Sequence, residues 1–99
     1  TRWRRRLTLM LILKTTVQFE RDYKLAKKRG LNLQLLNNVL EMLLTEQKLP
    51  PQYRNHRLRG KYEGFCECHL QPDLLLIYTI NQKTLILTAA RTGTHADLL

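Results

Sequence analysis

The amino-acid sequence predicts an α+β fold: two N-terminal helices packed on a small, mainly antiparallel sheet, in the order β-α-α-β-β-β. Three observations carry that expectation. Apolar residues recur at helical spacing in two stretches of the first half. Three short apolar runs separated by turn residues fill the second half. With 99 residues, 43% of them apolar, the chain can build one core and has no room for a second.

In order, Met10-Leu11-Ile12-Leu13 reads as a short buried strand. Thr15-x-x-Gln18 has the spacing of a capping box, whose hydroxyl and amide satisfy N–H groups that a helix start leaves unpaired. From there to Arg29, Phe19, Tyr23 and Ala26 fall on one helical face, while Arg21, Lys24, Lys27, Lys28 and Arg29 charge the other side. Gly30 supplies the stop, because glycine enters the left-handed conformation without steric cost. A second helix is expected from a cap near Asn32 to about Gln47, with Leu35, Leu36, Val39, Leu40 and Leu43 as its apolar stripe. Pro50-Pro51 ends it, and Tyr53 to Gly60 reads as an irregular basic loop.

Three strands follow: Lys61 to Leu70, Leu74 to Ile80 and Thr84 to Arg91. Gln71-Pro72-Asp73 and Asn81-Gln82-Lys83 are the turns between them. The last two strands are nearly continuous apolar runs, the pattern of central strands covered by helices. Thr92 to Leu99 is a short tail, polar until its last two leucines.

Charge narrows the functional classes. Seventeen Lys and Arg oppose eight Asp and Glu, a formal charge of +9, and ten of those basic residues fall in residues 1–29. That excess favours a polyanionic partner. No apolar run approaches the ~18–20 residues of a membrane span. Arg2, Arg4, Arg5 and Arg6 before an apolar Leu7–Leu13 resemble a signal peptide, but Lys14-Thr15-Thr16-Val17 follows in place of a small-residue cleavage site. The expectation is therefore a cytoplasmic protein. Because Met10 is the first methionine, residues 1–9 are expected to be a dispensable extension and residues 10–99 a single domain.

The candidate chemistry lies at one rim of the predicted sheet. His69 ends one strand and Asp73 lies across the next turn, while Arg91 ends an antiparallel neighbour and His95 follows it. His56 lies in the basic loop that feeds the first of these strands, beside Arg54, Arg57, Arg59 and Lys61, a run suited to gripping phosphates. Cys66-x-Cys68-His69 lacks the second Cys or His pair of a structural zinc site, so neither a metal nor a cofactor is expected. No base is fixed beside either thiol.

Specific runs then make the sequence familiar. Lys24-Leu25-Ala26-Lys27-Lys28-Arg29, Asn55-His56-x-Leu58-x-Gly60, Gly64-Phe65, Glu67-Cys68-His69-x-x-Pro72-Asp73-x-Leu75-Leu76-Ile77-Tyr78 and Arg91-Thr92-Gly93-Thr94-His95-Ala96 resemble the YafQ branch of the RelE/ParE toxins, in order from Met10 to Leu99. The resemblance implies a toxin of a bacterial type II toxin–antitoxin pair, which cleaves mRNA in the ribosomal A site without a metal and is silenced by a partner antitoxin. It places the family's active-site positions on His56, His69, Asp73, Arg91 and His95. Leu74 and Leu99 stand where the family usually has aromatics, and Tyr62-Glu63-Gly64-Phe65-Cys66 replaces a strand that often reads Trp-Lys-Gly-x-Arg. These changes remove stacking surface and positive charge.

The chemistry also fits independently. Cleavage needs a base for the 2′-hydroxyl, an acid for the leaving 5′-oxygen and positive charge for the phosphorane. Histidine serves as either near neutral pH. His95 is the expected acid and His56 or His69 the base, with Asp73 orienting one imidazole and Arg91 offering a planar fork to the phosphate. Lys24, Lys27, Lys28 and Arg29 are expected on ribosomal RNA. Two alternatives stand beside this reading: a ParE-like inhibitor of DNA gyrase, and a nucleic-acid-binding module without catalysis.

Overall fold

The computed structural model describes residues 10–98. The chain runs β1 (Ile12–Thr15), α1 (Val17–Lys28), α2 (Leu33–Leu44), β2 (His56–Arg57), β3 (Cys66–Gln71), β4 (Leu74–Asn81), β5 (Ile86–Gly93) and α3 (His95–Leu98), with 3₁₀ turns at Pro51–Tyr53 and Gly60–Tyr62. The extension assigned to residues 1–9 and the substituted Leu99 lie outside the described residues. The five strands form one sheet in the order β1-β5-β4-β3-β2. β2 to β5 make an antiparallel meander, and β1 pairs parallel to β5 with Ile12 opposite Ile86. The α+β architecture is the predicted one.

Element ends differ for identifiable reasons. β1 starts two residues later than expected and is not buried: it is an edge strand, with Ile12 60% exposed, and the buried residue of that segment is Leu11. The cap of α1 is Thr16, whose Oγ1 accepts the Phe19 N–H at 2.9 Å and donates to the Ala90 carbonyl at 2.7 Å. This second bond ties the helix start to β5 and moves the cap one residue past Thr15. Gly30, at φ +75°, closes α1 as expected, with Leu31 N–H donating to the Ala26 carbonyl at 3.0 Å. α2 ends at Leu44, short of Gln47, because Glu46 takes the left-handed position (φ 57°) and Gln47 N–H donates back to the Met42 carbonyl. Without a glycine there, nothing in the sequence marks that stop. The basic loop contains the short strand β2, and residues 60–62 turn as 3₁₀ before β3 begins at Cys66. The tail folds into α3.

The two faces of the sheet have different cover. On one, Phe19, Leu36, Val39 and Leu43 of the helices pack on Cys68, Leu74, Leu76, Tyr78 and Leu87. On the other, Leu75, Ile77 and Leu98 form a small cluster with Leu58, Tyr62 and Phe65, covered by loops and the single turn of α3. β4 reads as continuously apolar because both of its faces are buried, yet helices α1 and α2 cover only the first.

β1 pairs with β5 over Ile86–Ala89 alone. Beyond it α1 takes over the edge, where Asp22 accepts the Thr92 N–H at 3.1 Å. Among the described residues, no helix is long and apolar enough to cross a membrane.

Candidate active site

Strand alternation places the site. Successive β3 residues point to opposite faces, so Cys68 and Leu70 enter the helix-covered core while Glu67 and His69 line the other face. His56 pairs with Glu67 across β2–β3, and Glu67 and Arg91 both pair with Ile77 of β4. At the β3–β4 rim, the α3 turn returns His95 to Asp73.

Asp73 and His95 meet through both side chain and backbone. Asp73 Oδ1 accepts from His95 Nδ1 at 2.9 Å and from the His95 backbone N–H at 3.1 Å. A carboxylate only accepts, so Nδ1 carries the proton and Nε2 is left for chemistry. The hydrogen bond from the His95 side chain holds the Asp73 carboxyl below the usual carboxylate range. The His69 ring lies 5.7 Å from that of His95 and 6.1 Å from that of His56, centroid to centroid. Burial lowers the His69 pKa, and the nearby positive charge of Arg54 lowers it further, against an opposing pull from Glu67. The ring is thereby kept neutral at physiological pH. His56 donates from Nδ1 to the Arg54 carbonyl at 2.7 Å and turns Nε2 toward Glu67 Oε1 at 3.4 Å.

Two residues enter that sequence reasoning missed. Glu67, largely buried, faces both His56 and, at 3.8 Å, His69 Nε2. Its signal was available, since a residue two before His69 on a strand shares its face. Asp22 is the other. Its side chain is 7% exposed and takes Arg91 Nε at 2.8 Å and Arg91 Nη2 at 3.0 Å. An acid three residues after Phe19, on the apolar face of α1, was the clue.

Arg91 accordingly differs from expectation. Its planar fork is spent on Asp22, which raises its already high pKa and fixes the guanidinium at the β5 edge. Arg29 is also committed: its Nη1 donates to Asp97 Oδ2 at 2.9 Å, docking α3 against the end of α1. Lys24, Lys27 and Lys28 are exposed on α1, as are Arg57, Arg59 and Lys61 around β2. Gly93 is required for the α3 turn: at φ +150°, an added Cβ would meet Asp97 Oδ2 at 3.0 Å. Cys68 is inert, its thiol pushed up to about 12 by burial. His56, Glu67 and His69 bring three donor atoms within 4.8 Å of one another, a spacing that can hold a metal ion.

Residues 11–99 match the family described as a bacterial toxin of type II toxin–antitoxin systems, YafQ. The mRNA interferase toxin YafQ of Escherichia coli K12 is 38% identical over 82 residues, which are 82% of this chain and 87% of that protein. The crystal structure of a metal-bound toxin from Helicobacter pylori superposes with a TM-score of 0.85 at 43% identity, covering 91% of this chain and all of that one. The toxin in the E. coli DinJ–YafQ toxin–antitoxin complex gives 0.83 at 33% identity, over 91% of this chain and 98% of that one.

Proposed function

We propose that this chain, which belongs to the YafQ family of bacterial type II toxins, is an mRNA interferase that cuts RNA by attack of the 2′-hydroxyl. The observation that carries the chemistry is the Asp73–His95 pair facing a second, neutral imidazole across one rim. His69 takes the 2′-hydroxyl proton. The O2′–P bond forms, the P–O5′ bond breaks, and His95 gives its Nε2 proton to the departing 5′-oxygen. The products are a 2′,3′-cyclic phosphate and a 5′-hydroxyl. Glu67 faces Nε2 of His69 and favours the tautomer whose Nδ1 lone pair is free, which supports His69 over His56 as the base.

His56 is held at the edge of this face, with Nδ1 on the Arg54 carbonyl and Nε2 turned toward Glu67, where its ring can contact the phosphate. Arg91, held by Asp22, contributes a fixed charge at the flank of this face in place of a bidentate grip. His56, Glu67 and His69 also suit a divalent cation, which would supply positive charge there and take up the imidazole lone pairs.

A cognate antitoxin is the protein partner, as DinJ is for the E. coli relative. A short acidic segment of it suits the exposed Arg57, Arg59 and Lys61. On the ribosome, the exposed Lys24, Lys27 and Lys28 suit phosphate contacts that position without reading sequence. Family membership and the acid–base pair both weigh against gyrase inhibition and against binding without catalysis. The test is single-turnover cleavage of an A-site codon on purified ribosomes, with the product ends analysed. A cyclic phosphate is expected, and a product bearing only a 3′-hydroxyl excludes 2′-hydroxyl attack.

A further inference from the structure

Beside His69 lies a cleft of about 320 Å³. It is lined by the 3₁₀ turn, with Gln52, Tyr53 and Arg54, by the end of β3, with His69 and Gln71, and by Pro72. The volume is at the small end of the ~300–1,000 Å³ of ligand pockets. Tyr53 is half-buried against the core, so its ring is a supported wall, whereas Gln52 and Gln71 are exposed at the mouth. Arg54 holds a left-handed backbone, φ 50° and ψ 43°, that costs a non-glycine residue energy. Through its carbonyl the same residue anchors His56. The cleft and the catalytic rim are thus parts of one framework.

We propose that this cleft receives the nucleobase flanking the scissile phosphate, with Tyr53 as stacking platform and Gln71 as the group that reads the base edge. The proposal rests on the ribonuclease reading above and adds the determinant of codon choice. An aromatic face stacks any base, while a carboxamide presents one donor and one acceptor side by side and discriminates among base edges. His69 is a wall of the cleft and a reactant at once, so a base seated there delivers its own ribose or its neighbour's phosphate to the imidazole. Leu74 lies outside these walls, and the cleft supplies an aromatic that position 74 lacks.

The two residues predict different patterns. With ribosomes programmed by mRNAs that differ at single A-site nucleotides, Gln71→Ala should change the ranking of bases at one codon position. The relative kcat/KM there should shift about 5- to 150-fold, with other positions unchanged. Tyr53→Leu should slow all bases at that position alike, by a similar factor, and Tyr53→Phe should restore them. Gln71 is exposed, so its variant keeps the fold, which an unchanged melting temperature will verify. A Gln71→Ala enzyme with the wild-type ranking, or one slowed equally on every codon, overturns the proposal and leaves the nuclease intact. Wild-type protein that cleaves no codon on ribosomes overturns both.

Discussion

The two faces of the sheet are built from the same strands and do opposite work. On the helix-covered face, Leu36, Val39, Leu76 and Leu87 are at most 1% exposed. On the open face, the same alternation puts Glu67, His69 and His56 beside a small apolar cluster. The first face holds the molecule together, and the second carries the polar groups of the proposed site. β3 shows the division within six residues, Cys68 and Leu70 inward, Glu67 and His69 outward. Stability and activity should therefore be separable by choosing the face.

The largest separation is expected at His95. His95→Ala should lose about 10²- to 10⁴-fold in cleavage, the usual worth of one general acid or base. Because the ring is exposed, its melting temperature should match wild type. A large thermal shift in that variant would break the comparison. The mirror experiment is Leu76→Ala on the opposite face, costing about 2–5 kcal/mol of unfolding free energy. Per folded molecule, its cleavage rate should be unchanged. Asp22→Asn is the case that should fail on both counts. It leaves an amide against the Arg91 guanidinium and the Thr92 N–H, costs about 1.5–3 kcal/mol by denaturant titration, and also releases the Arg91 charge.

Finer tests sharpen the open face alone. A base must be neutral, and the folded-state pKa of His69 lies below the ordinary ~6.5. The limb on which cleavage falls as the base is protonated should therefore lie below ~6.5. Arg54→Gln removes a nearby positive charge and should move that acid limb up toward the ordinary value. A limb that stays put would take His69 out of the base role. Smallest is the effect at α1: glutamine at Lys24, Lys27 and Lys28 should flatten the salt dependence of ribosome binding by roughly 0.7–0.9 in log–log slope per lost phosphate contact. An unchanged slope returns that helix face to solvation.

Much of this was legible in the sequence, for physical reasons that also explain the gaps. The Asp73–His95 pairing follows from counting strands and turns, because an antiparallel meander returns its ends to one rim. The helix periods are visible because α1 and α2 each have one wet face. Glu67 was legible in principle from its two-residue spacing to His69. The fate of Arg91 was not: its partner lies 69 residues earlier, on another element. Nor was the end of α2, where Glu46 adopts the conformation that glycine normally announces.

The pairing of β1 with β5 has a bearing on how the protein is made. A strand near one end of the chain must find its parallel neighbour 74 residues later, and Arg29 must find Asp97 after a similar gap. Contacts of such sequence separation form late, since loop-closure entropy comes before their reward. During translation, β5 and α3 emerge after β1 to β4, so the sheet cannot close and Asp73 cannot meet His95 until both have left the ribosome. A nascent chain that stops short of α3 therefore lacks the Asp73–His95 pair.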